Sequence, residues 1–459
     1  MKTLLIMLMS CLAAAEIHAA ELLSGPMVGH TTSTSSRIWV ETDQPAGVTV
    51  HYWLEPRLGY GSSMGEPVVR GTASGQTASQ APHTGTIELT GLKPGWLVYY
   101  ELEIDGRPIR PQTTQAFSLL PPPEGDDPPE FAVGFTSCMY PARVPYQPIW
   151  RQVSTYRPAA FLLIGDNNYM PNEPGAYETS RENVKYMMSR YHRYLRDVPG
   201  LRTVLATTPI YGIWDDHDYG PNNSDRTFQW RDLTLDIFTR YWPNPSAGTA
   251  ETPGAFYSFR IGDAEFFVLD DRYHRDPNYS SDRKQMLGAG QLAWLKQGLQ
   301  SSTATFKILV NGGVMTVDRH DNAEYWARYR DEWQQFLHWI FQEEINGLIF
   351  ISGDWHVGSL LRTEFPDEGY TLYELVSSNA GVNAVYPDPE HYRYNSQSSG
   401  HNRRFDGPVI NDIRDYNFGL LTFEGPSENR RVQLEIIDQN GEVWVSHPLT
   451  VEDLTMPEE

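Results

Sequence analysis

The chain has 459 residues, only two cysteines, and a formal net charge of −22 from 58 acidic and 36 basic side chains. Its length suggests two domains with room for a sizeable core, and 20% charged with 12% aromatic residues describes a folded protein rather than a disordered one. Such an acidic balance argues against a nucleic-acid partner, and no run approaches the ~18 apolar residues of a membrane span.

Residues 1–20 read as a secretion signal, with Lys2, the apolar run Leu4–Met9 and a small-residue end at Ala19-Ala20. With no twin arginine, the general secretory route to a periplasmic or extracellular location is expected. Leu8-Met9-Ser10-Cys11 also resembles a bacterial lipobox, which makes lipid anchoring through Cys11 the alternative. Residues 21–120 read as an all-β domain of immunoglobulin or fibronectin type. Arg37–Glu41, Val48–Leu54, Thr86–Leu89 and Val98–Ile104 are short, β-branched or aromatic runs, and Asp105-Gly106 is a hairpin turn. The proline-rich stretch 121–130 reads as a stiff linker.

From 131 to 459 apolar strands alternate with helical patterns, the mark of a layered α/β domain. Strands are expected at Phe131–Thr136, Ala159–Ile164, Val204–Leu205, Ile210–Ile213, Glu265–Leu269, Phe306–Val310 and Leu348–Ile351. Val184 to Leu195 and Trp326 to Ile340 have helical spacing, and a last hairpin turns at Asn440-Gly441.

The chemistry gathers just past the ends of these strands: Cys138; Asp166 with Tyr169; Asp215-Asp216-His217-Asp218; Asp270-Asp271-Arg272; Asn311; Asp354 with His356. Ligands of layered α/β domains bind beyond the carboxyl ends of strands. A single Asp there often caps a helix, but six successive polar strand ends are hard to explain by capping. If Cys11 leaves with the signal, Cys138 is a lone thiol in an oxidising compartment. A buried hydrophobe is its bland reading, and a soft ligand for a transition metal is the other. Three carboxylates packed around one imidazole in Trp214–Asp218 call for a neutralising cation.

Cys138, Gly165-Asp166-x-x-Tyr169, Trp214-Asp-Asp-His-Asp218, Leu269-Asp-x-Arg272 and Gly353-Asp-x-His356 together resemble the alkaline phosphatase D family of metallophosphoesterases, a group that also includes the purple acid phosphatases. The resemblance implies a metallophosphoesterase domain that hydrolyses phosphate mono- or diesters as a monomer. It further implies one ferric iron held by Cys138 and Tyr169, one or two calcium ions beside it, and Asp166 bridging the two metals. Asp215 or Asp216, with Asp354 and His356, would complete the metal shell. The iron would supply hydroxide, with Asp166, His217 and Arg272 as the catalytic residues, His217 near the leaving group and Arg272 on a phosphate oxygen. Asn167, Asn168 and His274 would line the substrate side. Asn167–Met170 departs from the usual continuation of this loop, and Val310-Asn311-Gly-Gly313 lacks a histidine, which suits calcium better than zinc. Two other readings are a non-catalytic exported calcium-binding protein, which leaves Cys138 and Tyr169 unexplained, and an iron redox enzyme.

Overall fold

The computed structural model describes residues 19–56, 68–111, 113–122, 128–280, 283–317, 324–382, 413–457 and the backbone of 402–404. Residues 1–18 of the segment expected to be a secretion signal, and Cys11 with them, lie outside the described residues.

The N-terminal region contains β1 (Leu22–Thr31), β2 (Ser36–Thr42), β3 (Gly47–Pro56), β4 (Val69–Gln76), β5 (His83–Leu89), β6 (Trp96–Ile104), β7 (Arg107–Ile109) and β8 (Ala116–Ser118). They make two antiparallel sheets, β1-β2-β5 and β4-β3-β6-β7 with β8 also on β6. Asp105 and Gly106 both take positive φ, 47° and 77°, as the tight hairpin between β6 and β7 requires. Alternate residues Val28, Ile38, Val50, Ile87, Val98 and Leu102 form the core between the sheets.

This sandwich docks on the rest of the chain through β1, β2 and β6. Trp39 Nε1 donates to the Arg240 carbonyl at 2.7 Å, and Tyr100 donates its hydroxyl hydrogen to the Ala206 carbonyl at 2.8 Å. The guanidinium of Arg196 is 2% exposed and lies 4.7, 5.1 and 5.0 Å from the ring centres of Trp39, Tyr241 and Trp242.

After Phe131 come β9 (Phe131–Thr136), α1 (Ile149–Tyr156), β10 (Ala160–Ile164), α2 (Arg181–Arg196), α3 (Pro199–Thr207), β11 (Ile210–Ile213), α4 (Asp216–Tyr219) and α5 (Arg231–Tyr241). They are followed by β12 (Tyr257–Ile261), β13 (Ala264–Val268), α6 (Gly288–Ser301), β14 (Phe306–Val310), α7 (Arg330–Gln342) and β15 (Leu348–Ser352). The last strands are β16 (Gly358–Phe365), β17 (Tyr370–Ser377), β18 (Asn402–Arg404), β19 (Asn417–Glu424), β20 (Arg431–Asp438) and β21 (Val443–Thr450). One sheet has the order β11-β10-β9-β19-β20-β21 and the other β12-β13-β14-β15-β17-β16-β18. In the first, β9, β10 and β11 run parallel; in the second, β13, β14, β15 and β17 do.

The period of two in each strand feeds two cores. Ile308, Val310, Ile349 and Ile351 join Val133, Phe135 and Leu162 of the other sheet, whereas Leu309 and Phe350 turn outward against Leu295 of α6 and Phe336 of α7. The two sheets therefore pack face to face with helices outside, a mixed α/β fold preceded by an all-β region. One expected strand is a helix. Val204 and Leu205 belong to α3, where Leu201, Val204 and Leu205 bury one helical face and Pro199 occupies the first turn. The C-terminal hairpin is present as β20 and β21, and β19 joins it to β9.

Candidate metal centre

The parallel strands end on one side, and the polar residues expected at a ligand sit just past them. The backbone there is bent sharply. Gly165 has φ +93°, and a Cβ on it would stand 2.7 Å from the Asp215 Cβ. Cys138, Asp166, Asp354 and His356 also take positive φ, at 58°, 49°, 68° and 56°. Each such non-glycine residue costs on the order of 1–3 kcal/mol, so the surrounding packing must hold it there. Cys138 N–H donates to the Gly165 carbonyl at 3.3 Å and Met139 N–H to the Asp166 carbonyl at 2.9 Å, locking two of these turns together.

Two groups of ligand-type atoms result, each with its atoms within 4.8 Å of one another: Cys138, Asp166 and His356, and Asp166, Asp216 and His217. Asp166 is common to both. The Tyr169 hydroxyl lies 3.1 Å from His356 Nε2, and burial with the neighbouring Asp166 and Cys138 holds its phenol well above the usual range, so a phenol joins the first group. Its ring stacks between Tyr140 and His217, at centroid distances of 4.4 and 4.3 Å. Cys138, Asp166, Asp215 and Asp216 are buried, whereas Tyr169, His217, Asp354 and His356 are half-buried and form the mouth.

The electrostatics are those of a site built for cations. Burial, then the neighbouring Cys138 and carboxylates, drives the Asp166 carboxyl well above the usual carboxylate range. Burial likewise pushes Cys138 up to about 11 and Asp354 up to about 7, the latter reinforced by Glu324 and Asp216. Asp216 goes the other way: burial raises it, but Arg272, His217 and the Asn223 N–H outweigh burial and bring it to about 2. Several buried oxygens have no hydrogen-bond partner, among them Asp166 Oδ1, Asp215 Oδ2 and Asn311 Oδ1. Orphaned buried carboxylate oxygens are costly, and a bound cation removes that cost. A thiol, a phenol, an imidazole and a shared carboxylate fit a transition metal on one side, and the unpartnered oxygens fit a hard cation on the other.

Several residues expected at the substrate are engaged by protein partners. Asn167 and Asn168 are fully buried beneath the site: Asn167 Nδ2 donates to the Ile213 carbonyl at 2.7 Å, and Asn168 Nδ2 approaches His192 Nδ1 at 3.4 Å. Their backbone N–H groups donate to Asp218 at 3.1 and 2.8 Å, so they fix the turn after β11 rather than face a ligand. Arg272 is also fully buried. Its guanidinium pairs with Asp215, with Glu324 at 3.0 Å and with Asp271 at 3.5 Å, an ion-pair setting rather than an open clamp. His274 is half-buried with Nε2 2.7 Å from the Pro253 carbonyl, and it belongs to neither ligand group. Asp354 falls outside both groups too, but it couples electrostatically to His356 and Asp216.

The structure adds residues that sequence reasoning missed. Glu324 follows no strand, and nothing in its neighbourhood marks it. Ser378, at hydrogen-bonding distance from both Cys138 Sγ (3.7 Å) and the His356 N–H, follows β17 and could have been found by the strand-end logic that found Cys138. Glu374 in β17 accepts from Ser352 Oγ at 2.6 Å, Met315 N at 2.8 Å, Thr316 N at 2.9 Å and Thr316 Oγ1 at 2.6 Å, tying the loop after β14 to the end of β15.

A model of the PhoD-like phosphatase family matches residues 131–419, and a model of a domain of unknown function matches residues 19–122. Among solved structures, the structure of PhoD superposes with a TM-score of 0.68 at 18% identity, covering 94% of this chain and 92% of that one. The purple acid phosphatase PPD1 from yellow lupin (Lupinus luteus) seeds superposes with a TM-score of 0.63 at 13% identity, covering 93% and 74%. No curated protein sequence matches. At these identities the structural likeness speaks for the fold.

Proposed function

Since the chain belongs to the PhoD-like phosphatase family and is thereby a metallophosphoesterase, a hydrolase of phosphoric esters, we propose that it works with one ferric iron and at least one calcium ion sharing Asp166. Cys138, Tyr169, Asp166 and His356 would hold the iron. Asp166 and Asp216, with Asp354 nearby, would hold the calcium. The observation that carries this reading is the shared carboxylate of Asp166 between a thiol–imidazole group and a second acidic group. When bound, such a cation pair activates water as the nucleophile and neutralises charge on the phosphate.

The protein's own part is positional. Three positive-φ turns aim Cys138, Asp166 and His356 at one point, and the stack Tyr140–Tyr169–His217 fixes the phenol and the imidazole at the mouth. His217 stands there half-buried, with its N–H held within the Asp216 turn at 2.8 Å, and is assigned to the leaving-group side. Arg272 offsets the charge of Asp215, Asp271 and Glu324 beneath the cations. Asp216 rather than Asp215 is assigned as the ligand because its carboxylate falls in the second group with Asp166, whereas Asp215, though its Oδ2 is free, gives its Oδ1 to Arg272. Export through the segment 1–20 is part of the same proposal, resting on its charged start, apolar run and small-residue end.

The test is spectroscopic and kinetic. Ferric thiolate and phenolate ligation should colour the purified protein. Cys138→Ser should bleach or shift that band and abolish most hydrolysis of a simple aryl phosphate. An unchanged spectrum in Cys138→Ser, or full hydrolysis by colourless metal-free protein, overturns the assignment.

A further inference from the structure

The outer face of the β4-β3-β6-β7 sheet has a feature that ester hydrolysis does not use. Trp53 on β3 stands directly opposite Tyr99 on β6, flanked by Arg70 on β4 and Ala116 on β8. The two rings are parallel within 5° with centroids 5.5 Å apart, and both are half-buried. Beside them is an open hollow of about 410 Å³, walled also by Glu101, Pro111, Thr114 and Gln115. That volume falls within the ~300–1,000 Å³ usual for ligand sites. Gln115 is 7% exposed, and its Oε1 has no hydrogen-bond partner. A buried amide oxygen left without a partner is costly, and a donor reaching it from the hollow would remove that cost.

We propose that this hollow binds a neutral saccharide chain, one sugar ring packing against the Trp53–Tyr99 pair and a hydroxyl donating to Gln115. An aromatic face carries partial negative charge and attracts the weakly positive C–H face of a pyranose. The rim is mixed: the Arg70 guanidinium, 5.8 Å from the Trp53 ring centre, is a donor, whereas Gln115 Oε1 and the carboxylates of Glu101 and Glu55 are acceptors. Vicinal hydroxyls supply the donors that such a rim needs. A proline-rich peptide is the other usual guest of aromatic pairs, but it presents carbonyl acceptors with few N–H groups and would leave these acceptors unmatched. Glu55 and Glu101 disfavour an anionic polymer.

Calorimetric titration of the full chain with neutral oligomers of glucose and of N-acetylglucosamine, and with a proline-rich peptide, tests this. At least one oligosaccharide should bind saturably. Trp53→Ala and Tyr99→Ala should each weaken it roughly tenfold or more, and Gln115→Leu should weaken it several-fold. All three variants should hydrolyse a small aryl phosphate as the wild type does, because none touches the metal centre. If Trp53→Ala does not fold, Tyr99→Ala and the exposed Glu101→Ala decide by the same measurement. No saturable binding by any sugar, or binding undiminished in the variants, overturns the proposal. So does Trp53-dependent binding of the peptide instead.

Discussion

Replacing Arg272 separates two physical roles that a guanidinium among carboxylates can have. Its side chain is fully buried; Nε donates to Asp215 at 2.5 Å and Nη1 to Glu324 at 3.0 Å, with Asp271 at 3.5 Å. Burial lifts the Asp215 and Asp271 carboxyls, and Arg272 is the largest influence opposing it in both. Arg272→Met strands these charges in a dry interior, at a cost of about 3–5 kcal/mol. Arg272→Lys keeps the charge but not the fork, and forfeits about one charge-assisted hydrogen bond, on the order of 1.5–3 kcal/mol. For a body of this size, about 2 °C of Tm per kcal/mol gives losses of roughly 6–10 °C and 3–6 °C. Thermal melts and urea midpoints of the full chain measure this, alongside inhibition of hydrolysis by inorganic phosphate. Arg272→Met melting with the wild type while its phosphate inhibition weakens would refute the reasoning and make Arg272 a substrate clamp.

Arg196→Met removes a buried cation from the faces of Trp39, Tyr241 and Trp242 and a donor from the His192 carbonyl at 2.9 Å; a loss of about 2–4 kcal/mol in unfolding experiments is expected, with hydrolysis intact at 25 °C. Gly165→Ala combines a positive φ with a Cβ 2.7 Å from Asp215, so it should lower both melting temperature and metal content, whereas Gly175→Ala, where a Cβ meets nothing within 4 Å, should change neither. Burial, helped by Arg37, lowers His30 to about 4. The unfolded chain then takes up this proton near pH 6.5 and the folded chain only near 4, so His30's contribution to stability is complete above about pH 6.5 and is lost as the pH falls toward 4. Urea midpoints of wild type and His30→Leu between pH 4 and 7 should diverge in slope across that window.

The strand ends were legible in the sequence because each apolar run stops at a residue that packing alone would not select. Cys138, Asp166, Asp216, His217 and His356 meet as the strand-end pattern required. Direction was not legible. Asn167 and Asn168 lie in the same loop as Asp166, but the turn at Gly165 points them inward to Asp218, and no sequence period reports such a turn. The ion pairs of Arg272 were not legible, because its partner Glu324 comes from a distant irregular stretch. Val204 and Leu205 resemble a strand until Leu201 completes a helical face. β17 escaped notice because Glu374 sits in the middle of its apolar alternation, satisfied by the loop after β14 and by Ser352 at the end of β15.

The central claim is that two cations share Asp166. Elemental analysis of wild type and Asp166→Ala, purified side by side and assayed on one aryl phosphate, tests it most directly. Iron and calcium are expected in the wild type, with the colour of ferric thiolate, and loss of both metals and of hydrolysis in Asp166→Ala. A variant that keeps either metal at wild-type content, or that still hydrolyses the ester at the wild-type rate, would contradict it.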